Sequence, residues 1–359
     1  MSTITVHQLS DIEPLSCPSI QFNTYLFANM KLISILLPCL LLVACDKDAD
    51  VPSNTSDDIV AAYRSINSNL SRTADVLMKD SLRVLDIGNS YTTDATAMLP
   101  LVFDSLHIDA SRMCYYTLVR PSASYKNWLD CYFDADNSEY HFNKVVGGLS
   151  SSVKTGKYKA YSGWALRKVL SEKWDLIIIH QYSKYATSYD QWLTVGPYGY
   201  LPQLTTLIDS LQPSATLGTY IIHSYASWYK GNNERSSAKR LANIYSAVQR
   251  MTYDAPAFQV VVPYGTAVQN LRASYTDPND MDMTRDGTHL GYGLSRFTAS
   301  ACLFESLFAR RFNTSVSNIQ VTYHCTKEEH TQSPEGCIDI TPDNLPFAIS
   351  AVQRTMVNP

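Results

Sequence analysis

Leu82-Arg83-Val84-Leu85-Asp86-Ile87-Gly88-Asn89-Ser90-Tyr91-Thr92 decides the fold of this chain. A run dominated by Leu, Val and Ile ends in Gly88, a polar turn follows, and apolar spacing of helical period then covers 93–106. That order is strand, tight turn, helix. The same alternation continues outward. Strands are expected at Met113–Val119, 174–179, 216–222 and Phe258–Val262, with Leu176-Ile177-Ile178-Ile179 the clearest buried run. Helices are expected at 163–173, 201–211, 236–251, 294–310 and 348–356, and a leading helix at 59–78. Near-continuous apolar strands separated by helices mean a parallel sheet covered on both faces. Such sheets place chemistry just beyond the carboxyl ends of their strands.

The 359 residues suffice for one large domain with a sizeable core. Net charge is -4 with no basic run, so nothing points to nucleic acid. Tyrosine outnumbers phenylalanine, 24 to 11, which suits carbohydrate contact because a tyrosine exposes a flat face while its hydroxyl stays wet. Met30-Lys31, the apolar run from Leu32 to Val43 and then Ala44-Cys45 have the layout of a signal peptide, too short for a comfortable membrane span. Residues 1–29 carry no targeting pattern, and translation is expected to start at Met30. Residues 46–57 are polar and acidic, a tether. Organisation is therefore expected as an upstream extension (1–29), a signal peptide (30–44), a tether with the leading helix (45–78) and one domain (79–359). Beyond Cys45 lie Cys114, Cys131, Cys302, Cys325 and Cys337. In an exported chain Cys325 with Cys337, flanking a polar loop, is the expected disulfide, and Cys302 in an apolar helical pattern a free thiol.

Two segments carry chemistry. Ser90 stands at a strand-to-helix turn, where its own N–H faces a developing oxyanion; on this segment alone a helix cap is the favoured reading. Arg285-Asp286-Gly287-Thr288-His289-Leu290 places an Asp three residues before a His, the spacing that fixes an imidazole tautomer, although Asp-Gly is also a common turn pair. Ser90 lies early in the domain and Asp286-x-x-His289 late.

That order resembles the SGNH (GDSL-like) hydrolases, with a Gly-Asp-Ser-like nucleophile turn in the first block and Asp-x-x-His in the last. The chain is similar in particular to a Bacteroidota branch of that clan, through Ile87-Gly88-Asn89-Ser90, His180-Gln181-Tyr182-Ser183, Asp286-Gly287-Thr288-His289-Leu290 and the stretch from Val262 to Asn270. The resemblance covers roughly 81–310. It implies a flavodoxin-like three-layer α/β/α fold with a central parallel sheet, and a serine esterase needing no cofactor and no metal. Ser90 is then the nucleophile, His289 the base and Asp286 its orienting carboxylate. The sequence departs from the clan after the second strand, where Arg120-Pro121-Ser122-Ala123-Ser124 replaces the usual glycine donor, and after the third, where Gln181 replaces the usual Asn. Ser90, Gln181 and Ser122 are the expected oxyanion donors; Gln181 serves otherwise as a structural tie between loops. Leu42-Val43-Ala44-Cys45 resembles a lipobox, which implies acylation of Cys45, a membrane anchor and a cell-envelope location, with surface exposure suggested by the acidic residues that follow.

Gly-x-Ser-x-Gly is absent, so an α/β-hydrolase elbow is not supported. His324, Cys325, His330 and Cys337 imitate a zinc cluster, but a disulfide fits an exported chain better. Asp277, Asn279, Asp280 and Asp282 lack calcium-loop spacing. The loop after the third strand is rich in aromatics, of which Tyr182, Tyr185 and Trp192 are expected to contact substrate, with Trp228 and Tyr229 on the same rim; ordinary loop packing explains such a loop as well. The expected substrate is an acylated glycan or a small ester, with O-acetyl groups on carbohydrate foremost. The alternatives are a short-chain carboxylesterase or lipase, and a non-catalytic surface glycan-binding lipoprotein.

Overall fold

A computed structural model describes residues 74–357 apart from 134, 136–137, 160–165 and 197–198. The expected signal peptide, Cys45 and the tether lie outside the described residues, as does all but the end of the leading helix. Seven strands form one sheet: β1 (Leu82–Gly88), β2 (Met113–Val119), β3 (Glu139–Gly147), β4 (Gly156–Lys159), β5 (Leu176–Ile179), β6 (Thr216–Tyr220) and β7 (Phe258–Val262), in the order β4-β3-β2-β1-β5-β6-β7. β2, β1, β5, β6 and β7 run parallel. Every residue of β2 and β5 is buried, as strands covered on both faces must be.

β3 and β4 are an antiparallel extension beside β2 that the apolar-run criterion does not find. Tyr140 and Phe142 are the buried residues of β3, and their neighbours are polar, so the segment alternates instead of running apolar. The helical stretch expected at 93–106 is two helices, α1 (Ser90–Thr96) and α2 (Leu99–Ser105), the second with Pro100 in its first turn, where proline is tolerated. α3 (Tyr125–Tyr132), α4 (Leu201–Leu211) and α5 (Ser237–Asp254) cover one face of the sheet. α1, α2, α6 (Tyr264–Ser274), α7 (Leu294–Leu307) and α8 (Leu345–Val357) cover the other. The result is a three-layer α/β/α fold.

The chain leaves β1 toward β2 on one side and later crosses back to β5 on the other. β1 therefore sits at the switch point, where a crevice opens beyond the carboxyl ends. A two-strand pair, β8 (Tyr292–Gly293) with β9 (Cys337–Ile338), ties the C-terminal segment to the end of the loop carrying Asp286 and His289. The disulfide expectation is corrected: Cys325 and Cys337 are two buried thiols in hydrogen-bond contact.

Candidate active site

Gly88 ends β1 and lets the chain turn beneath α1. A Cβ there would lie 2.0 Å from Thr92 Oγ1 and 2.4 Å from His180 Nε2, so no larger residue fits without displacing both. Asn89 caps α1, its Oδ1 accepting from Tyr91 N (3.0 Å) while its Nδ2 donates to Ala123 O (3.2 Å). One side chain thus fixes the turn that carries Ser90 and joins it to the loop after β2.

Residues 283–291 form a narrow loop. Gly291 N donates to Met283 O, Arg285 N donates to His289 O, and Thr284 bridges Leu290. Gly287 takes φ +85° at the tip, a conformation glycine adopts without strain. Asp286 Oδ1 accepts from Thr288 N (2.9 Å) and His289 N (2.8 Å), and Oδ2 meets His289 Nδ1 at 2.6 Å. Burial raises the Asp286 carboxyl, but these bonds outweigh it and hold the group well below the usual carboxylate range. With Nδ1–H facing Asp286, Nε2 carries the lone pair, and it meets Ser90 Oγ at 2.8 Å. The loop's outer end is pinned too. Thr288 O accepts from Tyr91 OH (2.6 Å) and from His223 Nε2 (2.8 Å), and the Tyr91 and His223 rings stack at 4.1 Å. Burial pushes His223 down to about 3, so it stays neutral as this donor.

Ser90 and His289 open into a pocket of about 420 Å³ lined also by Tyr91, Ser122, Tyr182, Ser183, Lys184, Tyr225 and Tyr229. Ser122 has φ +57°, and the turn after β2 uses Ala123 N on Arg120 O and Ser124 N on Asn127 Oδ1. Of Ser122, Ala123 and Ser124 in this turn, Ser122 is the one in the pocket wall. Gln181 is buried and is not in that wall; its Oε1 accepts from Tyr182 N (2.9 Å) and Tyr125 N (3.4 Å), the structural tie that was its alternative role. Tyr182 lines the pocket. Tyr185 does not, and packs edge-on against Tyr182. Trp192 is corrected outright: it is 2% exposed, wedged against Tyr125 and Tyr189, and donates to Tyr185 O. Tyr229 reaches the pocket, whereas Trp228 is exposed outside it.

Sequence reasoning missed Tyr225, whose hydroxyl meets Ser183 Oγ at 3.1 Å and whose ring carries the Arg240 guanidinium at 3.9 Å. It also missed Lys184, the one Lys or Arg among the described residues of the pocket wall. Neither position has a local signal, since both are set by where the loops after β5 and β6 converge. Among the described residues no group of three or more His, Cys, Asp or Glu is arranged to hold a metal ion.

A family model described as a domain of unknown function, DUF4886, matches residues 136–324. The chain belongs to the DUF4886 family. The match takes in Asp286 and His289 and begins after Ser90. Among solved structures, a DUF4886 family protein from Bacteroides uniformis shares 22% identity, covers 78% of this chain and 96% of its own, and superposes with a TM-score of 0.60, which establishes the shared DUF4886 fold. A putative GDSL-like lipase from Parabacteroides merdae (10% identity, 64% and 97% covered, TM-score 0.39) and an acetyl xylan esterase from Geobacillus stearothermophilus (10%, 67% and 98%, 0.35) are more distant. No curated protein matches the chain.

Proposed function

We propose that this DUF4886 chain is a serine esterase of the SGNH type that removes acyl groups, O-acetyl foremost, from carbohydrate. One observation carries the proposal: Ser90 Oγ, His289 Nε2, His289 Nδ1 and Asp286 Oδ2 form an unbroken hydrogen-bonded line, 2.8 Å and then 2.6 Å, that ends in an open pocket. A serine used only as a cap needs no such line. Ser90 Oγ attacks the ester carbonyl carbon as Nε2 takes its proton. The carbonyl electrons move to oxygen, where Ser90 N–H and Ser122 N–H receive the charge. The intermediate collapses, the C–O bond to the alcohol breaks, and His289 returns the proton to that alcohol. Water, deprotonated by the same Nε2, then hydrolyses the acyl-serine. Asp286 holds the tautomer and stabilises the imidazolium.

The pocket favours a sugar over a lipid. Among the described residues its wall is tyrosine, serine, threonine, glycine, histidine and lysine, with no Leu, Ile, Phe or Met. Tyr182, Tyr225 and Tyr229 offer rings for stacking and hydroxyls for bonding. The same proposal places the enzyme in the cell envelope, anchored through acylated Cys45; the support is the lipobox-like Leu42-Val43-Ala44-Cys45. The test is turnover by purified protein on acetylated glycans and on nitrophenyl esters of two to twelve acyl carbons. Acetate released from glycans and a preference for the shortest nitrophenyl ester are expected. Preference for long chains makes it a lipase. Glycan binding without turnover of any ester makes it the non-catalytic lipoprotein.

A further inference from the structure

We propose that Asp94 is a positioning residue that fastens the Asp286–His289 loop to the helix bearing Ser90; this rests on the triad assignment above. The triad joins two segments almost 200 residues apart in sequence, so its alignment depends on what holds the loop to α1. Asp94 lies on α1 one turn after Ser90, hence on the same side of the helix. Its carboxylate is fully buried. Oδ1 accepts from Arg285 Nη1 at 2.8 Å, and Oδ2 accepts from Leu290 N at 3.0 Å. Arg285 and Leu290 are the residues on either side of Asp286-Gly287-Thr288-His289. Arg285 Nη1 also donates to Leu290 O at 2.5 Å, which closes the neck of the loop. One carboxylate therefore grips both ends of the catalytic segment.

A buried charge is tolerated only when paired and hydrogen-bonded. Arg296, from α7, completes the pairing, with Nε at 3.0 Å and Nη2 at 2.7 Å from Oδ1. Burial raises the Asp94 carboxyl, but Arg296 and Arg285 outweigh it, and the group is ionised. Among the described residues the charged and titratable groups facing Asp94 are Arg285 and His289 from the loop, Arg296 from α7, His223 after β6, Tyr91 on α1 and Tyr264 at the start of α6. Tyr91, on the same helix, and His223 hold Thr288 O, so α1 contributes two of the loop's fastenings and the nucleophile itself. A shift of the His289 ring by an ångström costs about 10²-fold in rate.

The test measures kcat and KM on p-nitrophenyl acetate for Asp94→Asn and Arg285→Met. Alongside it, thermal unfolding and the downfield proton resonance of the His289–Asp286 hydrogen bond are recorded. Arg285→Met keeps the Asp94–Arg296 pair, so it remains informative where Asp94→Asn folds poorly. Both variants are expected to lose about 10²-fold in kcat with KM within about threefold, and to lose or broaden the downfield proton. Val352→Ala, a core truncation in α8, lowers the melting temperature and keeps kcat. Folded Asp94→Asn and Arg285→Met proteins with kcat within about threefold of wild type and an intact downfield proton overturn the proposal. If wild type turns over no ester but shows a downfield proton that Asp94→Asn abolishes, the esterase reading falls and the positioning role stands.

Discussion

Replacing Asp86 by Asn should stabilise this protein at alkaline pH. Asp86 lies in the middle of β1 and is fully buried. Burial pushes its carboxyl up to about 7, despite hydrogen bonds from Tyr220 and Tyr115. The bonding pattern agrees with a neutral acid. His180 Nδ1 faces Gln181 O at 3.1 Å and must be the protonated nitrogen, since burial pushes this imidazole down to about 4. His180 Nε2 then accepts the one proton of Thr92 Oγ1, 2.8 Å away. Thr92 Oγ1 also stands 3.2 Å from Asp86 Oδ1, and with its proton spent it is an acceptor there, so the carboxyl supplies the proton. Asp86 Oδ2 meanwhile accepts from Tyr115 OH and Tyr220 OH. An Asn reproduces every one of these roles, Nδ2–H to Thr92 and Oδ1 to the two tyrosines.

The sign follows from linkage. The folded state holds the Asp86 proton more tightly than the unfolded state, so stability falls as pH rises from about 4 to about 7, and the full penalty persists above. From the ordinary 3.8 to about 7, at 1.36 kcal/mol per pH unit, the penalty is about 4 kcal/mol. Urea unfolding of wild type and Asp86→Asn at pH 4, 6 and 8 measures it. The variant should gain about 2–4 kcal/mol over wild type at pH 8 and almost nothing at pH 4. A variant less stable than wild type at pH 8 would refute the neutral-acid account and make Asp86 an ionised member of the network.

Three further outcomes are expected. Gln181→Ala should cost less than about tenfold in kcat, because its amide oxygen ties loops together; a loss of about 10²–10³ would put its amide in the oxyanion hole. Lys184→Met should raise KM about two- to fivefold on acetylated glycans carrying carboxylates, the range of an exposed ion pair, and leave neutral glycans alone; equal effects on both deny Lys184 a role in charge recognition. Cys45→Ser should move the protein from the membrane fraction to the soluble fraction, and a variant that stays with membranes removes the lipid anchor.

The parts of this molecule legible in sequence are those whose signal is local. β2 and β7 fall where the apolar runs placed them, and β5 within its run, because strands covered on both faces have no polar alternation to disguise them. Ser90, Asp286 and His289 were legible because each sits in a short motif whose geometry is local: a strand-end turn, and an Asp three residues before a His. β3 was not, since it buries Tyr140 and Phe142 between polar neighbours instead of forming an apolar run. Trp192 misled because aromatic density in a loop is the same whether the rings face solvent or core. Asp94 gave no sign at all. Its partners Arg285 and Arg296 lie 191 and 202 residues away, and an Asp inside a helix reads as solvated until the fold buries it.

The central claim is that Ser90 is a nucleophile activated by His289. The most direct measurement is labelling with a serine-directed fluorophosphonate, read by peptide mass spectrometry, on wild type, Ser90→Ala and His289→Ala. Modification of Ser90 alone is expected, absent in Ser90→Ala and far slower in His289→Ala, because the imidazole that takes the proton is gone. Labelling of another serine, or undiminished ester hydrolysis by Ser90→Ala, would contradict it.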